Sequence, residues 1–438
     1  MGVRDFELTD TERTGVLYDP PGEPRRLAVR VWYPAADIEG FERRPYATEV
    51  ELESTFPALA TQELGVPSFF YSHVRHVDTH SFVDAPVLDD GTLPVVFFHQ
   101  GLNGYLSQNT VLMEHLASHG YVVFSVSHPY DSAPVVFNDG EVIALPDAEV
   151  AARAGDVEHS DAALALVDQL GLRENGQTYE ERFEGTLGLI ELARVVDDRV
   201  FDTSPRVWVE DALFVERELV GDRAPIRDIL AVIDLSRVGQ VGMSFGGSTA
   251  AALGYLDPRA AAVVNLDGSD HHQVGYDAEV PVALLMLYTD SIDTLGTVDT
   301  VPFGWNGFLY EPFETAGTRD DVVRLHLERV QHFGVTDAQL MSRGPVHTML
   351  AGSLDTDRAL DAINDVVRAF FDEHLRATSI DFPAAQLDAH SGELELHDVA
   401  PVRDLWNAKS SNRQAEARRA LGEALDNGVP VHIATRNP

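Results

Sequence analysis

The sequence predicts an α/β fold built on a mostly parallel sheet with helices on both faces. Three observations predict it. Short apolar runs recur without the polar alternation of a half-exposed strand, as expected of strands buried on both sides. Helix-like stretches separate them, the order that gives crossover connections and parallel pairing. Glycine-rich turns mark the joins, above all Gln100-Gly101-Leu102-Asn103-Gly104 and Gly242-Met243-Ser244-Phe245-Gly246-Gly247.

In chain order, Thr14–Tyr18 and Leu27–Tyr33 read as an opening hairpin around the turn Asp19-Pro20-Pro21-Gly22. Residues 37–92 are loop-rich. Pro94–His99 reads as a buried strand, Gln108–His119 as a helix stopped by Gly120, and Tyr121–Ser127 as a second strand. The alternation resumes with the strand Val238–Met243, the Ala-rich helix Gly247–Leu256, and the strands Ala261–Leu266 and Val282–Tyr288. Val322–Glu328 is the last strong strand and Thr356–Leu375 a long amphipathic helix. Between the two blocks, Val157–Leu170 and Val207–Val220 show helical spacing. An insertion in a loop at the strand ends lies where α/β folds bind ligands, so a lid is expected there. The expected organisation is 1–138 for the first part of the main domain, 139–235 for a helical cap and 236–378 for the second part. Residues 379–438 read as an appendage that packs on the domain or mediates association, with weak strand character over Asp381–Val402 and Asn412–Leu425 as a candidate helix.

Composition narrows the function. Acidic residues outnumber basic ones 71 to 32, a net charge of −39 that repels phosphate backbones and argues against a nucleic-acid partner. Lys409 is the only lysine, a bias that salt adaptation and a high-GC genome explain equally. With no cysteine, a thiol nucleophile, a disulfide framework and a thiolate metal site are excluded. The first residues lack an apolar leader, and no run approaches the roughly 18 apolar residues of a membrane span. A cytoplasmic protein without stable membrane insertion is expected, with an oligomer left open.

Gly242-Met243-Ser244-Phe245-Gly246 matches G-x-S-x-G between an apolar strand and a helix, the setting in which that pattern presents a nucleophilic serine. The turn is tight, and glycines remove side chains that would collide across it. Ser244 is therefore the candidate nucleophile of a hydrolase with the α/β-hydrolase fold. Such chemistry needs donors for an oxyanion. The amide after the serine, that of Phe245, is one candidate; the amide of Leu102, in the Gly-rich loop after Pro94–His99, is the other. The general base should follow the last strand. His332 lies four residues beyond it and is preferred to His347, which lies nearer the final helix. Asp267 and Asp290, each ending a strand, remain equal candidates for the acid that orients the base.

These residues resemble the intracellular and plasma-type platelet-activating-factor acetylhydrolases and their bacterial relatives, from about Val29 to Leu375. Val31-Trp32-Tyr33-Pro34, Leu116-Ala117-Ser118-His119-Gly120-Tyr121 and the nucleophile turn through Gly247 are similar to that family's segments. The resemblance implies a triad of Ser244, Asp267 and His332, because the family's acid follows a Leu, as in Leu266-Asp267, and its base precedes an Asp by five residues, as His332 precedes Asp337. The chain departs from the family at Gln100-Gly101, where a His-Gly is usual, with His99 one place earlier. The resemblance implies hydrolysis of short-acyl, phospholipid-type or other small esters with no metal and no cofactor. A lipase or polyesterase, and a non-catalytic ligand-binding protein on the same fold, are the alternatives. Glu114-His115 with His119, Asp270-His271-His272 and Phe69-Phe70-Tyr71 are read as a surface helix end, a polar loop and packing residues.

Overall fold

The computed structural model describes residues 1–408 except 64, 90, 147–148, 150–160, 196–198, 270, 273–279, 292–296, 299–300, 303–305, 307–318 and 379–380. A ten-stranded sheet organises it. In chain order its strands are β1 (Gly2–Thr14), β2 (Pro24–Tyr33), β3 (Phe82–Val83), β4 (Leu93–His99), β5 (Val122–Val126), β6 (Ile233–Met243), β7 (Ala260–Leu266), β8 (Ala283–Thr289), β9 (Val322–Leu327) and β10 (Leu394–Leu396). Their spatial order is β10-β9-β8-β7-β6-β4-β5-β2-β1-β3. From β9 across to β5 every neighbouring pair is parallel. The β1–β2, β2–β5 and β9–β10 pairs are antiparallel. This is the α/β-hydrolase architecture that the apolar runs predict.

Alternate residues of each central strand feed opposite cores, as a period of two requires. Val96 and Phe98 of β4 join the core on one face, and Val95 and Phe97 the core on the other. The first face is covered by α1 (Thr110–Ser118), through Leu112 and Leu116, and by a helix at Thr356–His374, through Ile363, Val366 and Phe370. The second face receives further helices. The insertion opens with α2 (Asp161–Asn175) and supplies to this face α3 (Tyr179–Val195), through Tyr179 and Phe183, and α4 (Ser204–Val220). The helix after the nucleophile strand is α5 (Phe245–Leu256), which makes the Thr356–His374 helix α6.

Two expectations need correction. The opening strand is not Thr14–Tyr18 but Gly2–Thr14, which pairs with β2 along its length. Its apolar alternation is masked by charges that the fold neutralises: Asp5 pairs with Arg30, and Arg4 with Asp84 and Asp228. Second, α4 lies within the expected cap range but packs on the sheet, with Phe214, Val215 and Leu219 in the β1–β2–β4–β5 core. The appendage packs on the domain, one of the two roles expected of it. Leu394–Leu396 adds an antiparallel edge strand to β9, and Val402 packs into the core beside α5. The candidate helix Asn412–Leu425 lies outside the described residues.

The topology fixes where a site forms. The chain passes from β4 to β5 on one side, then returns to place β6 on the other side of β4. The loops after β4 and β6 therefore diverge from neighbouring strand ends, the crevice where open parallel sheets bind ligands.

Candidate active site

At the end of β6, Ser244 has φ 54° and ψ −120°, a sparsely populated conformation for a residue with a side chain. Close packing imposes it. A Cβ on Gly242 would lie 2.1 Å from the Gly246 carbonyl oxygen, and one on Gly246 would lie 2.1 Å from the His99 carbonyl oxygen. Only glycine lets the first turn of α5 press against the end of β4.

The structure brings Ser244, His332 and Asp267 together. His332 opens a short helical turn after β9, and its Nε2 lies 2.9 Å from Ser244 Oγ. Its Nδ1 lies 2.7 Å from Asp267 Oδ2. Asp267 follows β7 and is itself oriented: the Thr289 amide donates to Oδ1 at 2.9 Å and the Thr289 hydroxyl to Oδ2 at 2.8 Å. The carboxylate is nearly buried, with 6 % of its side chain exposed, whereas the imidazole keeps 36 % and so faces an accessible space.

The competing residues are engaged elsewhere. Asp290 accepts the Arg329 amide at 3.0 Å, and its Oδ1 lies 3.2 Å from His326. His347 sits on a separate short helix with its Nδ1 3.1 Å from Ser342 Oγ.

The loop after β4 disposes its amides in a telling way. The Gly101 amide donates to Gln108 Oε1 at 2.8 Å, the Asn103 amide to the Asp131 carbonyl at 2.7 Å and the Gly104 amide to the Gly101 carbonyl at 2.8 Å. The Leu102 amide has no acceptor among the described residues. Phe245, the first residue of α5, belongs to the helical turn whose amides lack intrahelical acceptors. Two free donors thus come from the two loops that diverge at the switch in strand order, both beside Ser244 in sequence or in the sheet.

The residue that replaces the usual His-Gly histidine is turned inward. Gln100 donates to Ser132 Oγ. His99, fully buried, lies 2.9 Å from Gln240 Oε1. Burial pushes the His99 pKa down to about 3, which keeps the ring neutral.

Around the site lie features that the sequence does not mark, and the loop of His271 and His272, which it reads only as polar. His128 stacks on Trp208 at 3.9 Å, and Trp208 meets the Phe245 ring edge-on at 4.8 Å. Asp211 of α4 holds Arg25, Arg13 and His128 at 2.9, 2.8 and 3.0 Å. Burial alone would raise the Asp211 pKa, but the two guanidiniums hold it below the usual carboxylate range. On α5, Ser248 Oγ accepts the His271 amide at 2.8 Å and lies 2.6 Å from His272 Nδ1, which pins the loop carrying Asp267. The His271 ring stacks on Phe245 at 5.1 Å. Its pKa falls to about 3, first through burial, then through the nearby Arg173 guanidinium. The other polar or aromatic motifs play local parts. His119 Nδ1 lies 2.8 Å from the His115 carbonyl, and Glu114 accepts the His80 amide at 2.7 Å. Phe69 is exposed, while Tyr71 packs on Phe56.

Residues 21–149 match the family described as platelet-activating factor acetylhydrolase, isoform II. Over 362 residues the chain is 22 % identical to a platelet-activating factor acetylhydrolase of Cavia porcellus, an alignment covering 79 % of this chain and 72 % of that one. Among solved structures it is similar to a ferulic acid esterase from Streptomyces cinnamoneus, with TM-score 0.59 and 21 % identity, covering 91 % of this chain and 96 % of that one. No described helix is long and apolar enough to cross a membrane.

Proposed function

We propose that this chain, a carboxylic ester hydrolase of the α/β-hydrolase fold similar to the platelet-activating-factor acetylhydrolases, works through an acyl-enzyme on Ser244. His332 Nε2 takes the Ser244 proton as Oγ attacks the ester carbonyl carbon. Asp267 holds the imidazole by Nδ1–H and stabilises the cation that forms. The Leu102 and Phe245 amides receive the oxyanion. Collapse of the tetrahedral adduct expels the alcohol, which leaves with the proton from His332. Water then attacks the acyl-enzyme, with His332 as base again, and releases the acid and free Ser244.

The observation that carries this reading is the unbroken hydrogen-bonded chain from Ser244 through His332 to Asp267, at 2.9 and 2.7 Å. Thr289 supports it by giving Asp267 two donors, which hold the carboxylate in place to face an imidazolium. The substrate class is short-acyl and phospholipid-type esters. The part of the insertion that serves as a lid narrows to α2, because Tyr179 and Phe183 of α3 pack into the sheet core beside α5, as α4 packs into the β1–β2–β4–β5 core.

The test is turnover of p-nitrophenyl acetate. Ser244→Ala abolishes it while the variant stays folded by circular dichroism. Turnover at the wild-type rate in that variant would sink the reading.

A further inference from the structure

Gln108 stands at the end of the loop after β4, just before α1, and touches the start of that loop, the nucleophile turn and the turn that His332 opens. Its Oε1 accepts the Gly101 amide at 2.8 Å, in the loop after β4. Its Nε2 approaches Met243 Sδ at 3.7 Å, one residue before Ser244. Its carbonyl accepts the Asp337 amide at 3.0 Å, at the far end of the turn that His332 opens. The residue is buried, with 6 % exposure.

The fit around it is tight. A Cβ on Gly104 would lie 2.5 Å from Gln108 Oε1, and one on Gly101 would lie 2.9 Å from Met243 Sδ. The two glycines let the loop wrap onto this one side chain. By taking the Gly101 amide, Gln108 fixes the Gln100–Gly101 peptide, the unit before the Gly101–Leu102 peptide that carries the Leu102 N–H and whose carbonyl accepts the Gly104 amide at 2.8 Å. The amides of Gly101, Asn103 and Gly104 are all committed, and Leu102 is left with the free one.

We propose that Gln108 is a positioning residue that aims the free Leu102 amide and keeps the loop after β4, the nucleophile turn and the base turn in mutual register. It does not touch substrate. It acts through the Gly101 peptide, so its effect belongs to the tetrahedral state, in which the oxyanion exists, rather than to substrate binding. This inference rests on the acyl-enzyme reading above.

The experiment compares Gln108→Met, which keeps the length and removes the acceptor, with Gln108→Glu, which keeps an acceptor. Kinetics are normalised to sites titrated with an organophosphate. In Gln108→Met, kcat for p-nitrophenyl acetate falls about 10- to 100-fold, the scale for a misplaced catalytic group. KM stays near the wild-type value, and affinity for a trifluoromethyl ketone, which adds Ser244 to form a tetrahedral adduct, falls by the same factor. Gln108→Glu recovers most of both. Unchanged kcat in Gln108→Met, or equal losses in the two variants, overturns the proposal. So does a loss of kcat without a loss of ketone affinity. Should Gln108→Met not fold, residue-resolved hydrogen exchange on the wild type decides: the Gly101 amide is protected and the Leu102 amide is not, and equal exchange at both contradicts the proposal. An inactive Ser244→Ala together with a fully active Gln108→Met removes this inference alone; an active Ser244→Ala removes the reading beneath it.

Discussion

Asp267 and Asp290 end neighbouring strands of the sheet and look alike in sequence; only their partners separate them. Asp267 faces His332 and is held by Thr289, whereas Asp290 serves the Arg329 backbone and His326. The consequence is a sharp difference between two conservative changes. Asp267→Asn loses the charge and the tautomer control, and kcat falls about 10⁴-fold, the scale known for that change in a serine triad. Asp290→Asn still offers an oxygen to the Arg329 amide, and turnover stays near wild type. Comparable losses in steady-state kinetics would transfer the role to Asp290. At this scale the sequence shows the serine clearly, because G-x-S-x-G needs residues at adjacent positions. It shows the base and acid only as pairs of alternatives, because their choice depends on which loop end faces Ser244. Gln108 and Thr289 leave no trace, since a lone glutamine or threonine forms no pattern.

At the scale of elements, the site is held by ties between segments far apart in sequence. Asp337 is one. It follows the turn opened by His332, and it is buried against Tyr46 and the start of α1. Burial pushes its pKa up to about 8, against the lowering effect of Tyr46 and the Val111 amide. The Tyr46 hydroxyl donates to Asp337 Oδ2 at 2.9 Å and lies 2.7 Å from the Ser107 carbonyl. An unfolded aspartate ionises near pH 3.9. Between that pH and about 8 the folded chain binds one proton more than the unfolded chain, so this group's effect is to lower stability as pH rises through the window. Asp337→Asn keeps the hydrogen bonds and cannot ionise. Its stability relative to wild type therefore increases from pH 5 to 8 and levels above, as read from urea midpoints at pH 5, 7 and 9. A difference independent of pH would show that Asp337 is ionised in the fold. The errors in the sequence reading belong to this scale too. The strand Gly2–Thr14 was hidden because its charges are paired across the hairpin, and α4 read as cap because Asp211 and Glu216, both buried, look like solvent-facing acids until Arg25 and Arg259 are placed beside them.

For the molecule as a whole, the parallel sheet was legible because continuous apolar runs such as Pro94–His99 suit only strands covered on both faces. The strand order was not, because nothing in β4 or β6 records that they become neighbours. That adjacency carries the account: it joins the Leu102 loop to the Ser244 turn, and the later strands bring Asp267 and His332 up to them. The central claim is that this assembly acts through a covalent bond to Ser244. It is tested most directly by intact-mass spectrometry of the full chain after reaction with a fluorophosphonate, followed by peptide mapping and residual ester turnover. The account predicts a single adduct on Ser244 that accumulates in step with loss of activity. A fully inhibited chain with its adduct on another residue, or a fully active chain with Ser244 modified, would contradict it.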